Sequence, residues 1–175
     1  MFQNKSGKIL ERLHYFGINT ENWKATGKNS LESVIIYLPR NLPLLMVHNT
    51  FSDATDIEFA NEYNQNVFWC FCPNANLYIE KKLPHFELFT DNIRQLTIGT
   101  DSYASNYSLS VTDEINTIRK NNPVIKLEAL LKWATINGAR FLGMSEKLGS
   151  FEKGKIPGGV LLEERGNKFV SKRIF

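Results

Sequence analysis

Three short apolar runs, each bounded by turn-forming residues and separated by helix-patterned stretches, constrain this chain more than any other feature. They are Leu44–Val47 (LLMV), Val67–Cys72 (VFWCFC) and Leu96–Gly99 (LTIG). Compact apolar runs of this length between turn signals read as buried strands. After the first, Ser52 or Asp53 can cap a helix running to Tyr63, with Ile57, Ala60 and Tyr63 on its apolar side. After the second, Leu83, Phe86 and Phe89 mark a helical turn or two. After the third, Ser110 or Thr112 can cap a helix whose inner face shows Ile115 and Ile118. Strand and helix in alternation is the pattern of parallel βαβ units. Val47 to Phe71 spans 24 positions and Phe71 to Gly99 spans 28. A (β/α)8 barrel averages roughly 30 residues per unit, but a doubly wound open sheet has much the same spacing.

The flanks add elements of both kinds. Ser30 to Leu38 reads as a helix capped by Ser30 and terminated by Pro39, with Leu31, Val34, Ile35 and Leu38 as its apolar face. Lys126 to Asn137 carries the clearest helical stripe, Leu127, Leu130, Leu131 and Ala134, with Gly138 as its expected stop. Gly149 to Gly159 is a glycine-rich turn region, and Val160–Glu163 with Phe169–Ile174 can form a terminal hairpin. About three βα units fit before the tail, whereas a closed barrel needs eight. The chain is therefore either a small open sheet or part of a larger one.

Composition excludes several classes. The chain has 175 residues, 42% hydrophobic and 22% charged, which matches ordinary globular proteins. Its net charge of +3 comes from scattered residues, and the one basic cluster, Lys168 to Arg173, reads as a solvated tail. No nucleic-acid groove is expected. No apolar run approaches the ~20 residues that span a bilayer, and the first residues lack a signal-peptide pattern. Cys70 and Cys72, two apart in an apolar run, point to one face of a strand, and a disulfide between such neighbours is not expected. The expected location is the cytoplasm.

Each apolar run ends in polar residues: His48-Asn49-Thr50, then Cys72-Pro73-Asn74-Ala75-Asn76, then Thr100-Asp101-Ser102 with Ser105-Asn106. Parallel α/β folds bind ligands beyond the carboxyl ends of their strands, so the three sets would share one face. A histidine and an aspartate there can coordinate a divalent metal, which lowers the pKa of bound water. A lone histidine after a strand is more often a hydrogen-bonded loop residue, and aspartate before serine more often caps a turn. Cys70 and Cys72 are better explained as a buried strand face than as a metal pair. His14 and His85 read as solvated surface. The stretch 149–155 lacks the Gly-Lys-Ser/Thr ending of a phosphate loop.

The runs LLMVHNT (44–50), CPNANLYIE (72–80) and TIGTDSYASN (97–106) resemble three successive motifs of the amidohydrolase superfamily, in its chlorohydrolase and nucleobase-deaminase branch. ALLKWATINGARFLGM (129–144) is similar to that family's last barrel helix. GSFEKGKIPGGVLLE (149–163) is similar to its return into a small flanking β-domain. The resemblance implies an α/β fold: the last three or so βα units of a (β/α)8 TIM-like barrel over residues 1–145, and a β-sandwich segment over 146–175. It implies hydrolysis of non-peptide C–N bonds by metal-activated water, with deamination of a nucleobase or related heterocycle foremost. His48 and Asp101 match the family's catalytic histidine and aspartate. Asp101 would bind zinc or iron and shuttle a proton. His48 would orient the nucleophile or polarise the substrate, and would bind metal in a binuclear site. Asn49, Thr50 and Ser102 would line the pocket.

The family's His-x-His pair and the histidine of its fifth strand have no match in these residues. The metal shell is therefore incomplete, and the chain is expected to be a fragment, inactive alone, whose partner is the missing N-terminal half of the same protein. Its small-molecule substrate would be shared with that half. Unpaired strand edges favour self-association. The alternatives are a non-catalytic binding remnant of the barrel fold and a small independent nucleotide-binding α/β domain. The latter calls for a glycine-rich phosphate turn that the sequence lacks.

Overall fold

The computed structural model describes residues 1–92 and 95–175. Strands β1 (Leu44–Val47), β2 (Val67–Phe71) and β3 (Leu96–Ile98) form one parallel sheet in that order. The expected strands are thus present, but Gly99 falls outside β3. Cys72 lies past the end of β2, at the N-cap of a helix, α4 (Pro73–Glu80), where the sequence pattern predicts only a polar strand end. Pro73 at the first helical turn is well placed there, because its missing N–H would have had no partner in any case.

Before the sheet lie α1 (Lys8–Tyr15) and α2 (Ser30–Ile35). Asn29, not Ser30, caps α2 by accepting the Glu32 amide, and the helix gives way to tight turns before Leu38. Between β1 and β2 runs α3 (Ala54–Tyr63), opened by a capping box: Asp53 accepts from the Asp56 amide and Asp56 accepts from the Asp53 amide. A 3-10 helix covers Phe86–Asn92 before β3. After β3 comes α5 (Val111–Asn121), capped by the Ser110 side chain.

The single helix expected over Lys126–Asn137 is two, α6 (Leu127–Ala134) and α7 (Ile136–Phe141), broken at Thr135 with φ −132° and ψ −91°. Gly138 lies inside α7 and stops nothing. The positive-φ glycine at the true end is Gly143 (φ 66°). Buried Asn137 donates its side-chain amide to the Leu96 carbonyl at 2.8 Å, so α7 docks on β3. Strands β4 (Val160–Arg165) and β5 (Lys168–Arg173) pair antiparallel, as the expected hairpin.

Alternation along the strands sorts the sheet into two faces. Leu44, Met46, Val67, Trp69, Phe71, Leu96 and Ile98 face the helices. There Trp69 and Phe71 are fully buried, and Phe71 meets Phe86, Phe89 and Trp133 edge-on or tilted. Cys70, Cys72 and Ala75 form a separate small cluster with Leu45 on the other face. The hairpin joins the main core through Phe169, beneath the Arg119 guanidinium, whose carbon lies 4.2 Å from the ring centre. Among the described residues, no helix is long and apolar enough to cross a membrane.

Candidate active site

At the carboxyl end of the sheet the chain leaves β1 and β3 in left-handed backbone. His48 has φ 73°, Asn49 φ 57° and Asp101 φ 56°, a region that costs a non-glycine residue roughly 1–2 kcal/mol. Such conformations persist where surrounding bonds hold them, and both turns are held. The His48 amide still donates to the Cys70 carbonyl at 2.9 Å, extending the ladder past Val47. The Asn49 side chain turns back to the Met46 carbonyl at 2.8 Å. The Thr50 hydroxyl donates to Glu80 at 2.5 Å and accepts from the Asn76 amide.

On the other side, the Ser105 hydroxyl donates to Asp101 Oδ2 at 2.7 Å. The Asn106 amide donates to the Thr100 carbonyl and to Glu114 Oε1, both at 2.7 Å. Glu114 Oε2 accepts the Asn74 backbone amide at 2.8 Å. Burial pushes the Glu114 carboxyl above its ordinary range, and the bonds from Asn74 and Asn106 oppose that shift.

These turns bring His48 Nε2 to 3.6 Å from Asp101 Oδ2, with each side chain about a third exposed. The two sequence candidates therefore meet. Asn49 and Thr50 are buried and hydrogen-bonded within the chain, and both line a cavity of about 420 Å³ between α2 and β1 that His48 also borders. Ser102 is exposed and lies outside that cavity, with its carbonyl accepting the Ser105 amide at 3.0 Å. Both expected surface histidines are exposed, with local partners: His14 meets Thr20 at 2.8 Å and His85 meets Glu87 at 3.1 Å. Glu114 went unnoticed in sequence because a glutamate in a helix's first turn is normally solvated.

Behind the pair, Cys70 and Cys72 are free, buried and aimed at Gly99, where an added Cβ would meet their sulfurs at 3.0 and 3.2 Å. The Cys72 thiol, donating to the Cys70 sulfur, draws the Cys70 thiol down to about 7, and Cys72 is pushed up in return.

His48 and Asp101 are metal-ligand types at a separation a metal edge can use, yet among the described residues no third His, Cys, Asp or Glu joins them in a metal-holding group. Three or four protein ligands are usual, so the pair fits part of a metal site and not a whole one.

The chain is 31% identical over 117 residues to a 5-methylthioadenosine/S-adenosylhomocysteine deaminase of Saccharophagus degradans, covering 63% of this chain and 26% of that protein. Its fold matches Helicobacter pylori aminofutalosine deaminase in complex with methylthio-coformycin, with TM-score 0.74 and 22% identity over 90% of this chain and 38% of that one. An adenosine deaminase from Xanthomonas campestris with bound zinc matches at TM-score 0.56 and 30% identity, over 64% of this chain and 27% of that one. The chain spans well under half the length of each. Family members are typically metal-dependent hydrolases of C–N bonds. Residues 5–170, nearly the whole chain, match the amidohydrolase family, so this chain belongs to it.

Proposed function

We propose that residues 1–145 supply the last three βα units of an amidohydrolase barrel, and that residues 146–175 supply strands of its flanking β-sandwich. In this reading the assembled protein deaminates a nucleobase or related heterocycle, and the remaining metal ligands come from a segment outside these 175 residues. The observation that carries it is the approach of His48 to Asp101 across the carboxyl end of a parallel sheet. Asp101 would hold zinc or iron, joined by His48 if two metals are present. A divalent ion so held supplies ionised water near neutral pH.

The chain's own part is proton handling. Asp101 takes the proton of the attacking water and passes it to the departing nitrogen as the C–N bond breaks and ammonia leaves. Oδ2 is held in place by the Ser105 hydroxyl, which fixes the direction of that transfer. His48 orients the attacking oxygen from Nε2 or polarises the substrate by donating to a ring nitrogen beside the carbon under attack. Asn49, Thr50 and Ser102 contribute to the pocket wall. The proposed location is the cytoplasm.

The test is ammonia release from 5-methylthioadenosine, adenosine and guanine, with zinc or iron(II) added. The purified chain alone should give none. Co-expression with an upstream segment carrying a His-x-His strand should give turnover that Asp101→Asn lowers by at least about 100-fold. Turnover by the isolated chain would refute the incomplete-site reading. An inactive assembly that still binds these compounds would favour a non-catalytic binding remnant, the reading suggested by the two-donor set.

A further inference from the structure

The Asp101 turn is held from a distance. Asp101 adopts φ 56° without a glycine's freedom, so its geometry must come from bonds on either side. Downstream, the Ser105 hydroxyl grips its carboxylate. Upstream, the Thr100 carbonyl accepts one N–H of the Asn106 side chain, and the other N–H of that amide goes to Glu114 Oε1. Asn106 is buried, so its orientation depends on having acceptors for both protons. Glu114 supplies the second acceptor from α5 and is itself wholly buried. Its remaining oxygen accepts the amide of Asn74, at the start of α4, which follows the middle strand of the sheet. Asn74 is tied to α5 a second time, because its side-chain oxygen accepts from the Thr117 hydroxyl at 2.6 Å.

A buried carboxylate is costly unless its lone pairs are used, and a leucine or methionine here would fill the space more cheaply. What the carboxylate adds is two acceptors aimed at two different loops. We infer that Glu114 is a positioning residue for Asp101, setting the 100–106 turn through Asn106 and locking it to the start of α4. This rests on the reading of Asp101 as the reactive carboxylate, but the geometry it describes can be measured without any activity.

The experiment is residue-resolved amide hydrogen exchange by nuclear magnetic resonance on the whole 175-residue chain, with thermal unfolding as control. Glu114→Gln keeps the shape but sets an NH2 group against either the Asn74 amide or the Asn106 amide. It should raise exchange of the Ser105 amide on the order of tenfold, and shift the Asn106 side-chain signals, while α5 and β3 keep their protection. Asn106→Ala, which removes the same link from its other end, should release the same turn and leave the Asn74 amide protected. Unchanged exchange over 100–106 in a folded Glu114→Gln chain would overturn the inference. So would loss of protection spread evenly through β2, β3 and α5, or failure of both variants to fold, since Glu114 would then be a core anchor with no special bearing on Asp101. Absence of deaminase activity in an assembled protein would count against the catalytic reading and leave this result untouched.

Discussion

His48 Nε2 stands 3.6 Å from Asp101 Oδ2 although their strands, β1 and β3, are not neighbours. With β2 between them the strand axes are about 10 Å apart. His48 directly follows β1 and Asp101 lies three residues past the end of β3, both with left-handed backbone, and their side chains span the gap. In the assembled protein, Asp101→Asn should lower kcat by about 100-fold to 10,000-fold, the range for a lost general acid–base group. A steady-state assay of ammonia release measures it.

A Cβ added at Gly99 would meet the Cys70 and Cys72 sulfurs at 3.0 and 3.2 Å, closer than most side-chain contacts. Gly99→Ala should destabilise the chain by about 1–3 kcal/mol, the usual range for overpacking. Adding Cys70→Ala should recover part of that loss. Urea unfolding of the two single variants and the double variant measures the coupling.

The cysteine pair should lose one proton near neutral pH and hold the other far into alkali. Ultraviolet thiolate absorbance of the folded chain should therefore show one thiolate forming around pH 7. Cys72→Ala removes the donor that favours the Cys70 thiolate, so that step should move to higher pH.

Asp53 caps α3, and hydrogen bonds from the Thr55 hydroxyl and the Asp56 amide hold its carboxyl below the ordinary 3.8. Asp53→Ala should cost about 1 kcal/mol at neutral pH. A carboxyl whose pKa falls on folding stabilises the chain above the unfolded value and loses that contribution as pH falls through the folded value. The gap between the wild type and Asp53→Ala should therefore narrow below about pH 4. Thermal unfolding across pH 3 to 7 follows it.

An isolated two-stranded hairpin is marginal in water, so β4 and β5 rely on their dock against α5. The Asn116 side chain both donates to the Phe169 carbonyl at 2.9 Å and accepts the Phe169 amide at 2.8 Å. Asn116→Ala should remove about 1 kcal/mol for each bond. Limited proteolysis should then cut within residues 160–173 before it reaches the parallel sheet.

The three strands, the capped helices α3 and α5 and the terminal hairpin were legible in the sequence because each is a local pattern. Apolar runs, cap residues and turn glycines act within a few positions of one another. The first turn of α4 was misread for the same reason: Pro73-Asn74-Ala75-Asn76 has no local stripe, and its polar residues point to partners 26 to 43 positions away. The break at Thr135 was also invisible. Leu127, Leu130 and Leu131 continue smoothly toward Asn137, and it is the Asn137 bond to the Leu96 carbonyl that docks the second helix on β3.

His48 and Asp101 could be nominated from their places after apolar runs, but their meeting could not. It depends on strand order, register and two left-handed turns, none of which a linear pattern encodes. Glu114 marks the limit most clearly. In the sequence it is one acidic residue in the first turn of a helix, where water is the usual partner. Folding seals it from water and gives both oxygens to other loops, so its role was decided by tertiary packing, which alone determines which donors can reach a buried carboxylate.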